Sequence, residues 1–253
     1  MQLIQYPLLK KSGWSCQKCV SAISDKLYLN GSSKKRYLLE LFAGSATVSR
    51  IAKTEFKMKT FTLDLSPKTK PDLLKDIMKT SIRDIPDSRQ ISVVWASVPC
   101  ECYSIEAINL HWYKYHITHR NYLYLPKSSR AIEALQLLDK TLWLIKQIKP
   151  TYWFVENPRG AMRHTPQMYY SPFRYTVSYN DYGTDCYKPT DIFTNFGAVK
   201  LKRLKGAVGK SFPGSIAKIN NTAARAVVPA ELIRSILSQV YPYPVANSKR
   251  AIV

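Results

Sequence analysis

Acidic residues are scarce in this 253-residue chain: 17 Asp and Glu stand against 38 Lys and Arg, a formal net charge of +21 and a pI near 9.8. A field of that sign recruits polyanions and puts nucleic acid first among partners. A membrane surface is the weaker alternative, because no segment reads as a basic amphipathic helix. Apolar runs are short, and none reaches the roughly 18 residues that a membrane span needs. The N-terminus, Met1 to Pro7, lacks the charged head and apolar stretch of a secretory signal. The chain is therefore expected to stay inside a cell, in cytoplasm or nucleus. Cysteines number five, an odd count that argues against a disulfide framework. Cys16 and Cys19 form a CxxC, but Cys100, Cys102 and Cys186 provide no second one. Two reduced cysteines in a basic segment, rather than half of a zinc site, are expected there. Glycine is sparse too, nine in all, with no GxGxxG to wrap a pyrophosphate and no GxxxxGK(S/T) to hold a triphosphate. Apolar residues are ample: 45% of the chain is hydrophobic, enough to exclude a disordered protein. The length suits one α/β domain with appendages.

The positive charge is concentrated. Residues 1–36 hold seven basic residues against one acid, while 109–130, 159–175 and 198–222 hold four, three and six basic residues with no acid at all. The remainder is close to neutral, so the charge belongs to appendages around a neutral body. The expected organisation is a basic N-terminal extension (1–36) and an α/β core (37–197) carrying a basic, aromatic insertion (105–128). A short basic segment (198–222) and a C-terminal helix with its tail (223–253) complete it.

Within the core, Tyr37-Leu38-Leu39-Glu40-Leu41-Phe42 reads as a buried strand, and Ala43-Gly44-Ser45-Ala46-Thr47 as a tight turn of small residues opening a helix at Val48. Phe61 to Asp64 is a second strand, Ile91 to Val98 a third, and Tyr152 to Val155 a fourth. Between the last two, Ile132, Leu135, Leu138, Leu142, Ile145 and Ile148 recur at helical spacing over 129–148. Alternating strands and helices predict a mostly parallel sheet with helices on both faces. Open parallel sheets bind ligands beyond the carboxyl ends of their strands. The Gly44 turn, Asp64, Cys100 and Glu156 each follow a strand directly, so all four are expected on one rim.

A small-residue turn after the first strand and an acid ending the second suit an adenosine cofactor: backbone approaches the ligand, and the carboxylate accepts ribose hydroxyls. Without glycines to wrap phosphates, S-adenosylmethionine fits better than a dinucleotide; an ordinary αβ turn is the alternative. Cys100, between Pro99 and polar residues at the mouth of the sheet, is either a buried structural cysteine or a nucleophile favoured by nearby positive charge. Glu156 is either a solvated strand end or a proton donor whose burial raises its pKa. Nucleophile, acid and adenosine site together describe methyl transfer to an unreactive carbon.

These residues resemble the cytosine-C5 DNA methyltransferases, in particular compact phage and viral members, over about residues 37–240. Leu41-Phe42-Ala43-Gly44-Ser45 resembles the family's first motif, Leu63-Asp64 the second and Asp76-Ile77 the third. Pro99-Cys100-Glu101-Cys102-Tyr103-Ser104 is similar to its PCQxFS loop, and Glu156-Asn157-Pro158 to its ENV motif. Asp181-Tyr182-Gly183 opens a stretch like the eighth motif, and residues 221–238 resemble the last, a helix returning to the fold. The resemblance implies a Rossmann-like S-adenosylmethionine-dependent methyltransferase fold, with Phe42, Ala43, Gly44, Ser45, Asp64, Asp76 and Pro99 around the cofactor. It implies Cys100 as nucleophile and Glu156 as the acid at cytosine N3, with Ser104 and Asn157 on the substrate side. DNA is the implied partner, with RNA the nearest alternative and a catalytically degenerate DNA-binding protein another; a monomer is expected.

Three departures matter. Glu101 stands where the family has Gln and should raise the Cys100 pKa unless a cation answers it. In the eighth motif, Lys188 matches the first arginine of QxRxR, but Thr190 takes the place of the base-contacting one. Thr190, or else Arg159 or Arg163, is expected to supply that contact. Only about 30 residues separate the eighth motif from the last, so target reading is expected to involve residues 105–128. There, Trp112, Tyr113, Tyr115, Tyr122 and Tyr124 interleave with Lys114 and Arg120 on a mobile loop. His111, His116 and His119 are expected to be polar contacts there rather than a metal site.

Overall fold

Short apolar strands that cannot bury both faces alone are here stacked into one seven-stranded sheet with a helical layer on each side. The computed structural model describes residues 36–185, 187–202 and 227–241. The sheet strands are β1 (Tyr37–Leu41), β2 (Lys59–Asp64), β3 (Leu73–Leu74), β4 (Val93–Ser97), β7 (Tyr152–Pro158), β8 (Phe173–Ser178) and β9 (Pro189–Thr194). A separate antiparallel pair, β5 (Trp112–His116) and β6 (Tyr122–Pro126), lies between β4 and β7 in sequence. The sheet order is β3-β2-β1-β4-β7-β9-β8. Pairings are parallel from β3 to β7, and β9 runs antiparallel to both β7 and β8. The chain winds outward from β1 to β3, then crosses back to β4 on the other side of β1. The switch point, where ligands bind in such sheets, therefore lies between the ends of β1 and β4. This is a Rossmann-like α/β sheet with one reversed strand near its edge.

Among the described residues, three helices of two turns or more cover it: α1 (Thr47–Thr54), α2 (Ser129–Ile148) and α3 (Ala230–Val240). Strand alternation sorts the core into two layers. Leu39, Leu41, Val94, Ala96, Val155 and Phe193 pack with α2, while Leu38, Val93, Trp95, Phe154 and Ile192 pack with α1 and α3. The α3 helix buries Leu232, Ile233, Ile236, Leu237 and Val240 in the layer it shares with α1. Its Arg234 makes a two-pronged contact, 2.8 Å on each side, with Glu55 just past α1.

The α2 helix spans the expected residues but presents a different stripe. Its buried positions are Ala131, Ala134, Leu135, Leu138, Thr141, Leu144, Ile145 and Ile148, while Ile132 is 44% exposed and Leu142 half-buried. Small residues at 131, 134 and 141 let the helix axis approach the sheet closely. Thr141 satisfies its hydroxyl by donating to the Leu137 carbonyl at 2.7 Å. Counting only large apolar residues misplaces such a face.

The insertion at 105–128 also differs from the expected loop: residues 112–126 form a hairpin, paired in register from Trp112↔Pro126 to His116↔Tyr122. Period-2 alternation in aromatic-rich flanks favours that ribbon. The CxxC at Cys16 and Cys19, Cys186, and most of the basic segment 198–222 lie outside the described residues, as does the extension up to residue 35.

Candidate active site

The rim is assembled by register. Leu41 pairs with Leu63 and Ala96, and Ser97 with Glu156, so the turns after β1, β2 and β4 and the end of β7 meet on one side. The structure thus brings the Gly44 turn, Asp64, Cys100 and Glu156 together.

The turn after β1 is unusual in its backbone. Phe42, Gly44 and Ala46 all adopt left-handed φ, at 57°, 51° and 50°. Only Gly44 does so without a Cβ penalty; the other two cost about 1 kcal/mol each or more. The turn is held by Asp64, whose Oδ2 accepts the Gly44 N–H at 2.7 Å and whose Oδ1 accepts the Ser66 N–H at 2.7 Å. A carboxylate offers about four acceptor positions, so Asp64 keeps capacity for hydroxyl donors. Next to it Leu65 is 70% exposed, an apolar surface with nothing packed on it. Asp76 accepts the Met78 N–H through Oδ1 at 2.9 Å. Carboxylates for hydroxyls and an apolar face for a base are a donor set that fits a nucleoside.

Glu40, one residue before the end of β1, is a site residue that sequence reasoning passed over. It is buried, points to the α1 layer and accepts the Ser49 N–H at 2.7 Å, capping α1 from across the layer because Ala46 has no side-chain cap to offer. Burial pushes its carboxyl up to about 7, against hydrogen bonds from Ser49 and Val48 that favour the charged form; Asp64 adds to the rise. The sign follows: the protonated form is favoured by folding, so this group's stabilisation is full below the unfolded value of about 4.5 and is lost as pH rises through about 7. Glu40→Gln keeps the acceptor for Ser49 and removes the titration. It should therefore flatten the loss of stability between pH 5 and 8, by up to about 3 kcal/mol at the upper end. Thermal or urea unfolding of both proteins at several pH values checks this; parallel curves would show that Glu40 does not titrate in the fold.

Beyond β4 the chain turns tightly. Tyr103 and Ser104 N–H groups both donate to the Cys100 carbonyl, at 2.9 and 3.1 Å. Pro99 is exposed, Cys100 half-buried and Ser104 half-buried. Asn157 locks this loop to β7: its Nδ2 donates to the Val98 carbonyl at 2.8 Å, while its Oδ1 is buried with no partner among the described residues. Glu156 is buried, accepts the Tyr179 hydroxyl at Oε1 (2.8 Å), and has Lys188 Nζ 3.9 Å from the same oxygen. Lys188 also lies 4.6 Å from the Tyr179 ring centroid. Tyr179, fully buried, is kept a neutral donor: burial, then the Glu156 charge, raises its pKa well above the ordinary value. Tyr179 is a second residue missed in the sequence. It follows β8, and only the β8–β9–β7 pairing carries it to Glu156.

Cys100 sits among these charges. Burial raises its thiol pKa, Lys188 opposes the rise, and Glu156 and Glu101 add to it. The cation needed to answer Glu101 is thus Lys188. Glu101→Gln is expected to move the pH profile of Cys100 alkylation to lower pH, with faster labelling at pH 7. Mass spectrometry of iodoacetamide-treated protein reads this, and an unmoved profile would mean that solvent screens the exposed Glu101 completely.

The residues around Thr190 divide clearly. Thr190 is fully buried and its hydroxyl donates to the Lys188 carbonyl at 3.2 Å. Arg163 is committed elsewhere: Nε donates to Asp191 Oδ2 at 2.8 Å, Nη2 pairs with Asp191 Oδ1, and Nη2 donates to Thr176 at 3.1 Å. Arg159, by contrast, is exposed just past the end of β7. Of the three histidines in the insertion, His111 is buried against Ser128 (2.7 Å), the cap of α2. No cluster of three metal-binding side chains occurs among the described residues. Nor is any described helix long and apolar enough to cross a membrane.

No protein-family model matches the sequence, and no curated protein matches it. Among solved structures, the Entamoeba histolytica methyltransferase EhMeth is similar at 14% identity and a TM-score of 0.46, over 67% of this chain and 56% of that one. A protein described as a DNA modification methyltransferase encoded within an E. coli prophage is similar at 13% identity and a TM-score of 0.42, over 62% of this chain and 45% of that one. This chain spans about half the length of each of these two proteins.

Proposed function

We propose that the chain is a methyltransferase that uses S-adenosylmethionine to methylate C5 of cytosine in DNA, through a covalent adduct of Cys100 on a flipped-out base. The observation that carries this reading is the meeting of Cys100, Glu156 and Lys188 beside the Asp64–Gly44 turn, at the switch point of the sheet. In this reading Asp64 and Asp76 hold the nucleoside half of the cofactor, with Phe42, Ala43, Gly44, Ser45 and Pro99 lining its path. S-Adenosylmethionine, when bound, supplies an electrophilic methyl group.

The protein's own groups do the rest. The Cys100 thiolate adds to C6, forming a carbon–sulfur bond and moving the C5–C6 electron pair to C5, while Glu156 gives a proton to N3. After methylation, loss of the C5 proton to solvent drives the electron pair back, expels the Cys100 thiolate and returns the N3 proton to Glu156. Tyr179 and Lys188 hold Glu156 in place, and Asn157 holds the Cys100 loop. Thr190 is withdrawn from the expected base contact, being fully buried with its hydroxyl given to the Lys188 carbonyl, so Arg159, exposed just past the end of β7, takes that contact. Extruding a base costs a few kcal/mol, which the basic appendages offset through phosphate contacts.

Tritiated methyl transfer to DNA and RNA in parallel, with trapping on a 5-fluorocytosine oligonucleotide, tests the reading. The expected result is label in 5-methylcytosine of DNA and a covalent adduct. Label confined to RNA would transfer the same chemistry to that substrate. No label and no adduct, with cofactor and DNA still bound, would leave a DNA-binding protein that has lost catalysis.

A further inference from the structure

The β5–β6 hairpin has two unlike faces, and only one of them is used by the fold. An isolated two-stranded ribbon is marginal in water, so something must hold this one. Cross-strand pairs place Trp112, Lys114, His116, Tyr122 and Tyr124 on its inner face. Trp112 stacks on Tyr103 at 5.4 Å and donates its Nε1 to the Cys102 carbonyl at 2.6 Å. Tyr122 stacks on His164 at 4.2 Å, and Tyr124 meets the same ring edge-on at 5.7 Å. The hairpin is thereby fastened to the Cys100–Ser104 turn and to the turn after β7.

The outer face carries Tyr113 opposite Leu125 and Tyr115 opposite Leu123. Tyr113 and Tyr115 are 58% and 57% exposed, and Ile117 at the tip is exposed as well. Residues 107–128 contain no acid, and Lys127 Nζ stands 5.8 Å from the Tyr113 ring centroid. Two neighbouring rings two residues apart, flanked by leucines and edged by Lys127, match the chemistry of a single nucleic-acid strand. Every base has a π-face to stack, and every nucleotide has a phosphate to pair.

We infer that the outer face of this hairpin is a stacking platform for unpaired bases, with Tyr113 and Tyr115 as the rings and Lys127 as a phosphate contact. Its position on the Cys100 turn places it where a duplex opened for base extrusion would offer such bases. The inference rests on the proposed nucleic-acid reading for its ligand, but its readout is binding alone.

Anisotropy of a labelled single-stranded oligodeoxynucleotide and of its duplex, over a series of salt concentrations, tests it. Tyr113→Ser combined with Tyr115→Ser should weaken single-strand binding about tenfold or more, leave duplex binding within about twofold, and keep the salt slope. Lys127→Gln should instead reduce that slope by about one. The Phe/Phe variant should bind like the natural protein. Quenching of a 2-aminopurine strand by the natural protein reports stacking without any substitution. Unchanged single-strand affinity in the Ser/Ser variant, equal loss for strand and duplex, or absent quenching would each overturn the inference. So would a self-associating protein in sedimentation that the Ser/Ser change makes monomeric, since the face would then be a contact between copies. Methyl transfer with hairpin-independent binding defeats the platform alone; hairpin-dependent strand binding without methyl transfer defeats the transferase reading alone.

Discussion

Cys100→Ser is expected to lower methyl transfer by on the order of 10⁴-fold or more, as removal of a nucleophile that acts in concert with its partners does elsewhere. The argument is chemical. Addition to C6 needs an anion, and a serine hydroxyl surrenders its proton far less readily than a thiol. Lys188 eases ionisation at this position against burial and two carboxylates, a balance that helps a thiol but leaves a hydroxyl protonated. Cofactor and DNA affinity should stay within about twofold, because a half-buried side chain of nearly the same size is exchanged and no phosphate contact is touched. The 5-fluorocytosine adduct should disappear together with the transfer. Retention of more than about one per cent of the rate would show that Cys100 does not form the bond.

The same balance fixes the direction of the pH dependence of Cys100 in the natural protein. The reactive form is the thiolate, and burial holds the thiol pKa above its ordinary value. The rate of Cys100 alkylation therefore rises with pH through the thiol range, displaced upward from that of a free thiol. Removing the positive charge at Lys188 pushes the rise to still higher pH and leaves the Tyr179 hydroxyl to hold Glu156 Oε1.

Much of this arrangement is legible in the sequence because it is local. The strands that end at Leu41, Asp64, Ser97 and Pro158 announce themselves as apolar runs, and each carries its chemical group at or just past its carboxyl end. Parallel pairing then brings those groups to one rim without further information. What the sequence conceals depends on partners far along the chain. Tyr179 reaches Glu156 across two antiparallel pairings, and Arg163 is withdrawn from the substrate side by an Asp191 that lies 28 residues away. Neither contact has a periodicity or a motif. Glu40 is intermediate: a lone acid inside Tyr-Leu-Leu-Glu-Leu-Phe is a visible anomaly, yet its purpose appears only once α1 is seen to lack a cap. The hairpin shows how a correct composition reading can still miss the form. Aromatic and basic alternation at 112–126 was visible as a binding surface, but strand pairing decides which tyrosines face the core and which face solvent.

Gly160→Ala is the second change expected to have a large effect, at a buried residue with no side chain. Its φ of −178° is ordinary extended backbone, so the requirement for glycine is spatial rather than conformational. A Cβ at this position would lie 1.9 Å from the Tyr103 carbonyl oxygen and 3.0 Å from its carbon. No rotamer relieves that, because both atoms are backbone. The same carbonyl accepts the Ala161 N–H at 2.8 Å, which shows how closely the turn after Pro158 is pressed onto the Cys100–Ser104 loop. One methyl group must therefore push the two segments apart by an ångström or more. Forced overpacking of this kind costs about 1–3 kcal/mol of stability, and a displacement of about 1 Å at reacting groups costs on the order of a hundredfold in rate. The Asp64–Gly44 turn lies on β1 and β2, away from the collision, so cofactor affinity should be retained while transfer falls. Methyl transfer, cofactor titration and unfolding of the Gly160→Ala protein read the three effects separately. A protein that keeps its full rate would show that Cys100 and Glu156 do not depend on this contact for their relative placement. A loss of cofactor binding equal to the loss of rate would place the disturbance at the β1 turn instead.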